Sequence, residues 1–285
     1  MEDELPGGYW DAAGQLHRTF ELSPLTGYDE ELLAGVDGAA LVSTVLSRCV
    51  RRLGTISPVP AEVAEDLLVA DRLYLLLRLR RATFGDAVNA SLICPWPECG
   101  RRISLAFSVD DVPVVRSASP AATYTVALGD PCVGEAEFRL PTGADQEALA
   151  DEVDRNEARA LTGLLTRCLL RLGTVHSPAS EQITALPSAT RAEIERRMHD
   201  VAPRVEQTLE TTCPECGRAL IAPFDIHRFL FGDLRTDARL LYQEVHYLAF
   251  HYHWSERDVL DMPRDRRRVY IDAIAETIGA MNDGT

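Results

Sequence analysis

The sequence predicts an α+β protein, mostly helical. It reads as two tandem homologous helix–hairpin repeats joined by a shared four-cysteine, zinc-ribbon-like site, with a helical C-terminal tail. Three observations predict this. Residues 46–55 read LSRCVRRLGT and residues 165–174 read LTRCLLRLGT, identical at seven of ten positions. In each half a Cys-Pro knuckle begins 45 residues beyond the block's cysteine: CPWPECG from Cys94 and CPECG from Cys213. The segment 234–285 has helical apolar spacing and no counterpart upstream.

Further anchors follow in the same order. Leu25-Thr26-Gly27-Tyr28-Asp29-Glu30-Glu31 matches Pro141-Thr142-Gly143-Ala144-Asp145-Gln146-Glu147, and Phe107-Ser108 matches Phe224-Asp225. Such order at nearly one offset predicts duplication. Ser117-Ala118-Ser119-Pro120 reads as a linker. The expected units are 1–116 with the first knuckle, 117–233 with the second, and 234–285 as a helical C-terminal unit.

Within each repeat, Thr26 and Thr142 precede acidic residues, a hydroxyl cap with acids near the positive end of a helix dipole. Val42, Val45, Leu46, Cys49 and Leu53 predict a helix over 39–53. Leu161, Leu164, Leu165, Cys168 and Leu172 predict one over 159–172, and Gly54 and Gly173 are read as their stops. Pro60 opens a short helix. Residues 71–81 read as a mostly buried helix ending at Gly85, whose second-half counterpart, 190–198, is polar. Alternating segments 87–93 with 103–107, and 207–211 with 220–224, predict a hairpin around each knuckle, and 124–128 with 135–140 a further strand pair. In the tail, 237–251 is an amphipathic run. Ser255 caps a short helix, and Pro263 separates it from a last helix through about Ile278.

Composition narrows the chemistry. The 285 residues include 29 basic ones, all Arg, against 44 acidic ones, a net charge of −15. The lack of Lys excludes a Walker-A lysine, a Schiff-base lysine and a lysine general base. The acidic balance argues against nucleic acid as a partner, since that needs a basic face. The start, Met1-Glu2-Asp3-Glu4-Leu5-Pro6, lacks the charged and apolar regions of a signal peptide. The longest apolar stretch, Leu73–Leu79, is interrupted by Arg78 and too short for a bilayer. The expected location is cytoplasmic, with no membrane partner. In that reducing compartment seven cysteines are free thiols or metal ligands rather than disulfides.

Cys94-x4-Cys99 and Cys213-x2-Cys216 supply four thiols, each pair with Pro after the first Cys and Gly after the second. Back-to-back hairpins related by a pseudo-two-fold would bring all four to one structural zinc, one ion per chain, with no open coordination position. The alternatives are two reduced surface turns, a disulfide or an iron–sulfur centre. A zinc-ribbon regulator binding nucleic acid and an enzyme with an exchangeable zinc ligand are the rival functions. HEXXH and GxSxG are absent, and no catalytic residue is assigned. Cys49 and Cys168 read as core cysteines and Cys132 as a bystander. His246, His251 and His253 surround Trp254. Histidines packed under an aromatic are the simpler reading, a metal pair of His246 and His253 the other. Arg264–Arg268 reads either as a partner-binding or phosphate-binding patch or as the exposed start of the last helix. Glu30-Glu31 and Asp110-Asp111 read as solvated edges. Among Arg78, Arg80 and Arg81 some must pair with acids.

Several segments together resemble a known family. They are Leu25–Glu31, Asp71–Arg80 with Thr83-Phe84-Gly85, the two knuckles, Phe224–Leu230 and Glu244–Glu256. The chain resembles the T-even phage baseplate hub assembly proteins and their relatives in bacterial contractile injection systems. The likeness to the phage proteins covers mainly 20–111. The tail, where Trp254-Ser255-Glu256 precedes an Arg-rich helix, is similar to proteins of injection-system clusters. The resemblance implies a non-enzymatic assembly chaperone or structural component. Its partners would be baseplate, hub or spike proteins, held in part by exposed Tyr247, Tyr252 and Trp254.

Overall fold

The computed structural model describes residues 3–34, 40–226, 230 and 238–283, and mixes α and β throughout. The first half opens with a hairpin, β1 (Glu4–Trp10) and β2 (Leu16–Leu22), followed by helices α1 (Gly27–Ala34) and α2 (Leu41–Cys49). Strand β3 (Val50–Leu53) returns beside β2. Helices α3 (Ala61–Asp66) and α4 (Val69–Phe84) lead to the hairpin β4 (Ala87–Ile93) and β5 (Arg102–Ser108), then to β6 (Val114–Val115). The second half runs β7 (Tyr124–Ala127), β8 (Glu135–Phe138), α5 (Gly143–Arg155), α6 (Glu157–Cys168), β9 (Leu169–Leu172) and β10 (Val175–His176). It continues with α7 (Ser180–Thr184), α8 (Ser188–Val201), β11 (Arg204–Val205) and the hairpin β12 (Thr208–Thr212) with β13 (Ala219–Pro223). The tail is α9 (Ala238–Tyr252), α10 (Glu256–Leu260) and α11 (Arg264–Asp283). The boundary expected at 233/234 and the segment 227–229 of the resemblance lie outside the described residues.

The two predicted long helices end one turn early. After Cys49 and Cys168 the chain turns into β3 and β9. Phe20, Glu21 and Leu22 pair with Leu53, Arg52 and Val50, so Arg51 is an extra, bulged residue. Ala136, Glu137 and Phe138 pair with Leu172, Arg171 and Leu169, which makes Leu170 the bulge. A bulge breaks the two-residue alternation, so apolar residues three apart share one face of the strand. That spacing is also helical, which is why the sequence read as helix. Gly54 and Gly173 therefore stop no helix. They turn the chain after the strands at φ +56 and +58, and their amides donate to Thr19 and Glu135 carbonyls at 2.7 Å.

The helices start at the predicted threonines, but the hydroxyls do not cap them: the Thr hydroxyl and amide both donate to the carboxylate three residues on. Thr26 N–H donates to Asp29 Oδ2 at 2.9 Å and Thr142 N–H to Asp145 Oδ2 at 3.0 Å. Arg48 Nε holds Asp29 at 2.6 Å, and Arg167 Nε holds Asp145 at 2.7 Å. The hairpins expected at the knuckles and the pair β7–β8 form as read, all antiparallel.

Leu73, Leu75, Leu76, Leu77 and Leu79 of α4 centre the first core with Leu5, Leu46 and Leu53. Phe224, Ile226 and Leu230, beyond the second hairpin, join this core too. Asp71, fully buried on α4, accepts from the Gly7 and Gly8 amides at 2.7 and 2.8 Å and so fixes β1, which the sequence reading did not find. Burial pushes the Asp71 carboxyl up to about 6. A second core gathers Phe138, Leu165, Cys168, Ile183, Ile194 and Met198. The tail has a third, around Leu241, Leu248, Val259 and Leu260.

Candidate metal centre

Two hairpins meet at four sulfurs. The ladder from Ala87↔Ser108 to Ile93↔Arg102 carries β4 and β5 straight to the first knuckle. Thr208↔Pro223 to Thr212↔Ala219 does so for the second. Cys94 N–H donates to Arg101 O and Cys213 N–H to Arg218 O, both at 2.9 Å, so each first cysteine closes its own hairpin. Gly100 and Gly217, at φ +53 and +70, take the left-handed turn that returns the chain.

All four sulfurs, of Cys94, Cys99, Cys213 and Cys216, lie within 4.8 Å of one another. Contacts cross between knuckles: Cys94 to Cys216 and Cys99 to Cys213, each 4.0 Å. The charged rim crosses in the same way. Arg101 reaches Glu215, and Arg218 reaches Glu98, both at 2.7 Å. Trp96 donates from Nε1 to Ala219 O at 3.0 Å, and Arg218 lies over its ring. Beneath, Ile103, Leu220 and Ala222 form a small apolar floor with Cys94 and Cys213.

The separations decide what the thiols can do. At 4.0 Å the sulfurs are free thiols, far beyond the roughly 2.05 Å of a disulfide bond. Four sulfurs each about 2.3 Å from a tetrahedral zinc stand about 3.8 Å apart, close to the arrangement present. The all-sulfur donor set suits a soft ion and not magnesium or calcium. Burial pushes the Cys94 thiol up to about 12. At Cys213 burial acts in the same direction, but the backbone amides of Cys216 and Glu215 outweigh it and bring the thiol down to about 7.

The other sequence candidates separate clearly. Cys49 and Cys168 are core residues, with burial pushing both thiols up to about 12, and Cys132 is exposed. Among the described residues the four cysteines are the one group of three or more side chains placed to hold a metal. His246 lies by Phe250 and His251 by Tyr247. Tyr247, Tyr252 and Trp254, expected to be exposed, pack against the tail core instead, with Tyr252 stacked on Trp254 at 4.5 Å. Packing the rings on one another removes apolar surface from water. Arg267 is not part of a surface patch. It is fully buried and donates to Glu30 at 2.7 Å and Glu244 at 3.0 Å. Glu30 is therefore buried too, not a solvated edge. Asp110 pairs with Arg78 and Arg81, and Arg80 donates to the Gly85 and Ala87 carbonyls.

Among the described residues no helix is long and apolar enough to cross a membrane. The family model described as T4 bacteriophage base plate protein matches residues 12–231. A second, for a family of unknown function, matches residues 234–285. No curated protein and no solved structure matches the chain.

Proposed function

This chain belongs to the T4 bacteriophage base plate protein family, and on that premise we propose that it is a non-enzymatic assembly chaperone or structural component. Its machine would be the baseplate or hub of a phage-tail-like contractile injection system, and its partners baseplate, hub and spike proteins. The family match over residues 12–231 carries this reading. Cytoplasmic assembly, before the particle acts, is part of it.

In the same reading Cys94, Cys99, Cys213 and Cys216 hold one structural zinc. Support comes from the all-sulfur donor set and the reciprocal geometry of the knuckles. Four thiolates fill a tetrahedral coordination sphere and leave no position for substrate, so zinc there supplies a cross-link and no reaction chemistry. The halves are copies of one module, 1–116 and 117–233, followed by the unit 234–285. Supporting this are the equivalent bulges at Arg51 and Leu170 and the equivalent capping pairs at Asp29 and Asp145.

Affinity capture of the tagged chain from cells producing the particle tests the assembly role. Hub, spike or other baseplate proteins are expected in the eluate, and recovery of none of them overturns the role. Metal analysis of the purified chain tests the site. One zinc per chain is expected; none, or two, refutes the shared centre.

A further inference from the structure

Three helix pairs in this chain are built alike. α3–α4, α7–α8 and α10–α11 begin after the caps Pro60, Ala179 and Ser255, and the second helix starts nine residues later in each, at Val69, Ser188 and Arg264. Three residues further on stands an arginine each time: Arg72, Arg191 and Arg267.

Two of the pairs fill a socket made by the start of another helix. The α3–α4 turn docks on the start of α5. Gly143 N–H donates to Leu67 O at 3.0 Å, Leu68 bridges Thr142, and Arg72 Nη2 donates to Glu147 at 2.9 Å. The tail pair docks on the start of α1. Gly27 N–H donates to Met262 O at 3.3 Å, Pro263 bridges Thr26, and Arg267 Nη2 donates to Glu30 at 2.7 Å. Both sockets are Thr-Gly starts with a glutamate about one turn on. Glycine is required at each, because a Cβ on Gly143 would sit 1.2 Å from Arg72 Nη1 and one on Gly27 2.8 Å from Leu260.

The third pair, α7–α8, fills no such socket among the described residues. Leu67 and Arg72 are buried, whereas their counterparts Leu186 and Arg191 are only half-buried, and Pro187, Ser188 and Ala189 are exposed. Arg191 Nη2 donates to Thr162 Oγ1 at 3.0 Å. Thr162 follows Ser43 by the same 119 residues that separate Arg191 from Arg72. In the first half, Ser43 and Arg72 both donate to one oxygen of Glu147. Thr162 Oγ1 donates in turn to Ala158 O at 3.0 Å, so its hydroxyl takes the acceptor place beside Arg191 that the Glu147 carboxylate takes beside Arg72, and no described carboxylate pairs with Arg191.

We propose that the α7–α8 face docks the α1 start of a second copy of this chain, whose Glu30-Glu31 pair supplies Arg191 with a carboxylate. The tail pair α10–α11 is then the internal occupant that keeps the α1 socket closed. Only that socket can be exchanged, because α4, which fills the other, is the centre of the first core. The contact joins unlike surfaces, so it propagates into rings or filaments of chains. A tethered tail has a high effective concentration and holds the socket until it is displaced. The inference rests on the two-module reading and not on the metal.

Sedimentation velocity on the full chain tests it. The wild type is expected as a single chain. Arg267→Glu, which faces Glu30 and Glu244, is expected to free the socket and give concentration-dependent association. Adding Arg191→Glu should weaken that association by at least about 30-fold. Arg266→Glu, on the exposed side of α11, controls for charge and stays monomeric. In a second preparation the full chain carries Leu260→Asp, which removes the tail's packing on Gly27; it should associate in the same Arg191-dependent way. Both preparations staying monomeric, or association indifferent to Arg191, overturns the proposal. So does wild-type association through Arg191. Sedimentation reads the Arg191-dependent association of the chain alone, with no particle protein and no metal readout, so its failure is distinct from failure of the assembly role or of the shared centre.

Discussion

Asp145 shows how much one side chain holds. Burial works to raise its carboxyl, but Arg139, the Thr142 amide and Arg167 outweigh it and bring it down to about 2. A folded-state value below the unfolded one gives stability that is present above about pH 4 and lost as pH falls toward 2. Arg139 and Arg167 are 31% and 41% exposed. With that screening the contribution is about 1–2 kcal/mol. Urea unfolding at pH 6, 4 and 2.5 should show the loss in the wild type, and Asp145→Asn should flatten that dependence. A wild type equally stable at pH 6 and pH 2.5 would refute the assignment. Gly143 makes the opposite point, since there an absent side chain matters. Gly143→Ala should cost about 1–3 kcal/mol by overpacking against Arg72. Gly279→Ala, with nothing within 4 Å, should be neutral or stabilise by up to about 1 kcal/mol through helix propensity. Equal effects of the two in the same urea series would show that the α4–α5 contact yields without cost.

Among the elements, those whose cause is local were legible. The helix starts at Thr26 and Thr142, the hairpins around the knuckles and the stop of α4 at Gly85 each have a short-range chemical cause, and the structure has them, with Asp29 and Asp145 rather than the threonine hydroxyls as the acceptors. The β3 and β9 strands were not legible, because a bulged strand and a helical turn place apolar residues at the same spacing. β1 was hidden for another reason: its Gly7 and Gly8 amides are held by Asp71, more than sixty residues away. Arg267 misled because a run of arginines reads as surface, while its partners Glu30 and Glu244 come from two other helices. The knuckle cysteines were legible as a set through their spacing, and the crossing of Arg101 to Glu215 and Arg218 to Glu98 shows how the two hairpins face each other. One prediction belongs at this scale. Cys213→Ser should raise hydrogen exchange in β4–β5 as well as in β12–β13, while Cys132→Ser, at an exposed site, changes neither. Loss confined to β12–β13 would mean independent knuckles.

Across the whole molecule, the two halves are held together at several places of unequal strength. Phe224, Ile226 and Leu230 enter the first core, Arg72 meets Glu147, and β6 pairs with β11 over only two residues. At their knuckle ends the paired hairpins are otherwise held by exposed rim contacts, Arg101–Glu215, Arg218–Glu98 and Trp96–Ala219. Two-stranded hairpins are marginal on their own in water, and the floor beneath these two is a handful of side chains around Ile103 and Leu220. A thiolate-bound ion would therefore supply most of the order at this end, since metal binding at such a site is coupled to folding. The α4 core draws on a far larger set of buried leucines and should survive without it. Dialysis against a strong chelator is thus expected to open both hairpins together, seen as lost amide protection over 87–108 and 208–223, while α4 stays protected. The helical far-ultraviolet signal should largely persist and the thermal midpoint should fall. Re-addition of one equivalent of zinc should restore protection in both hairpins at once, because neither knuckle has more than two of the four sulfurs. Unchanged protection after the metal content has dropped to zero would show that the hairpins order themselves, and the cross-link would then have no part in joining the halves.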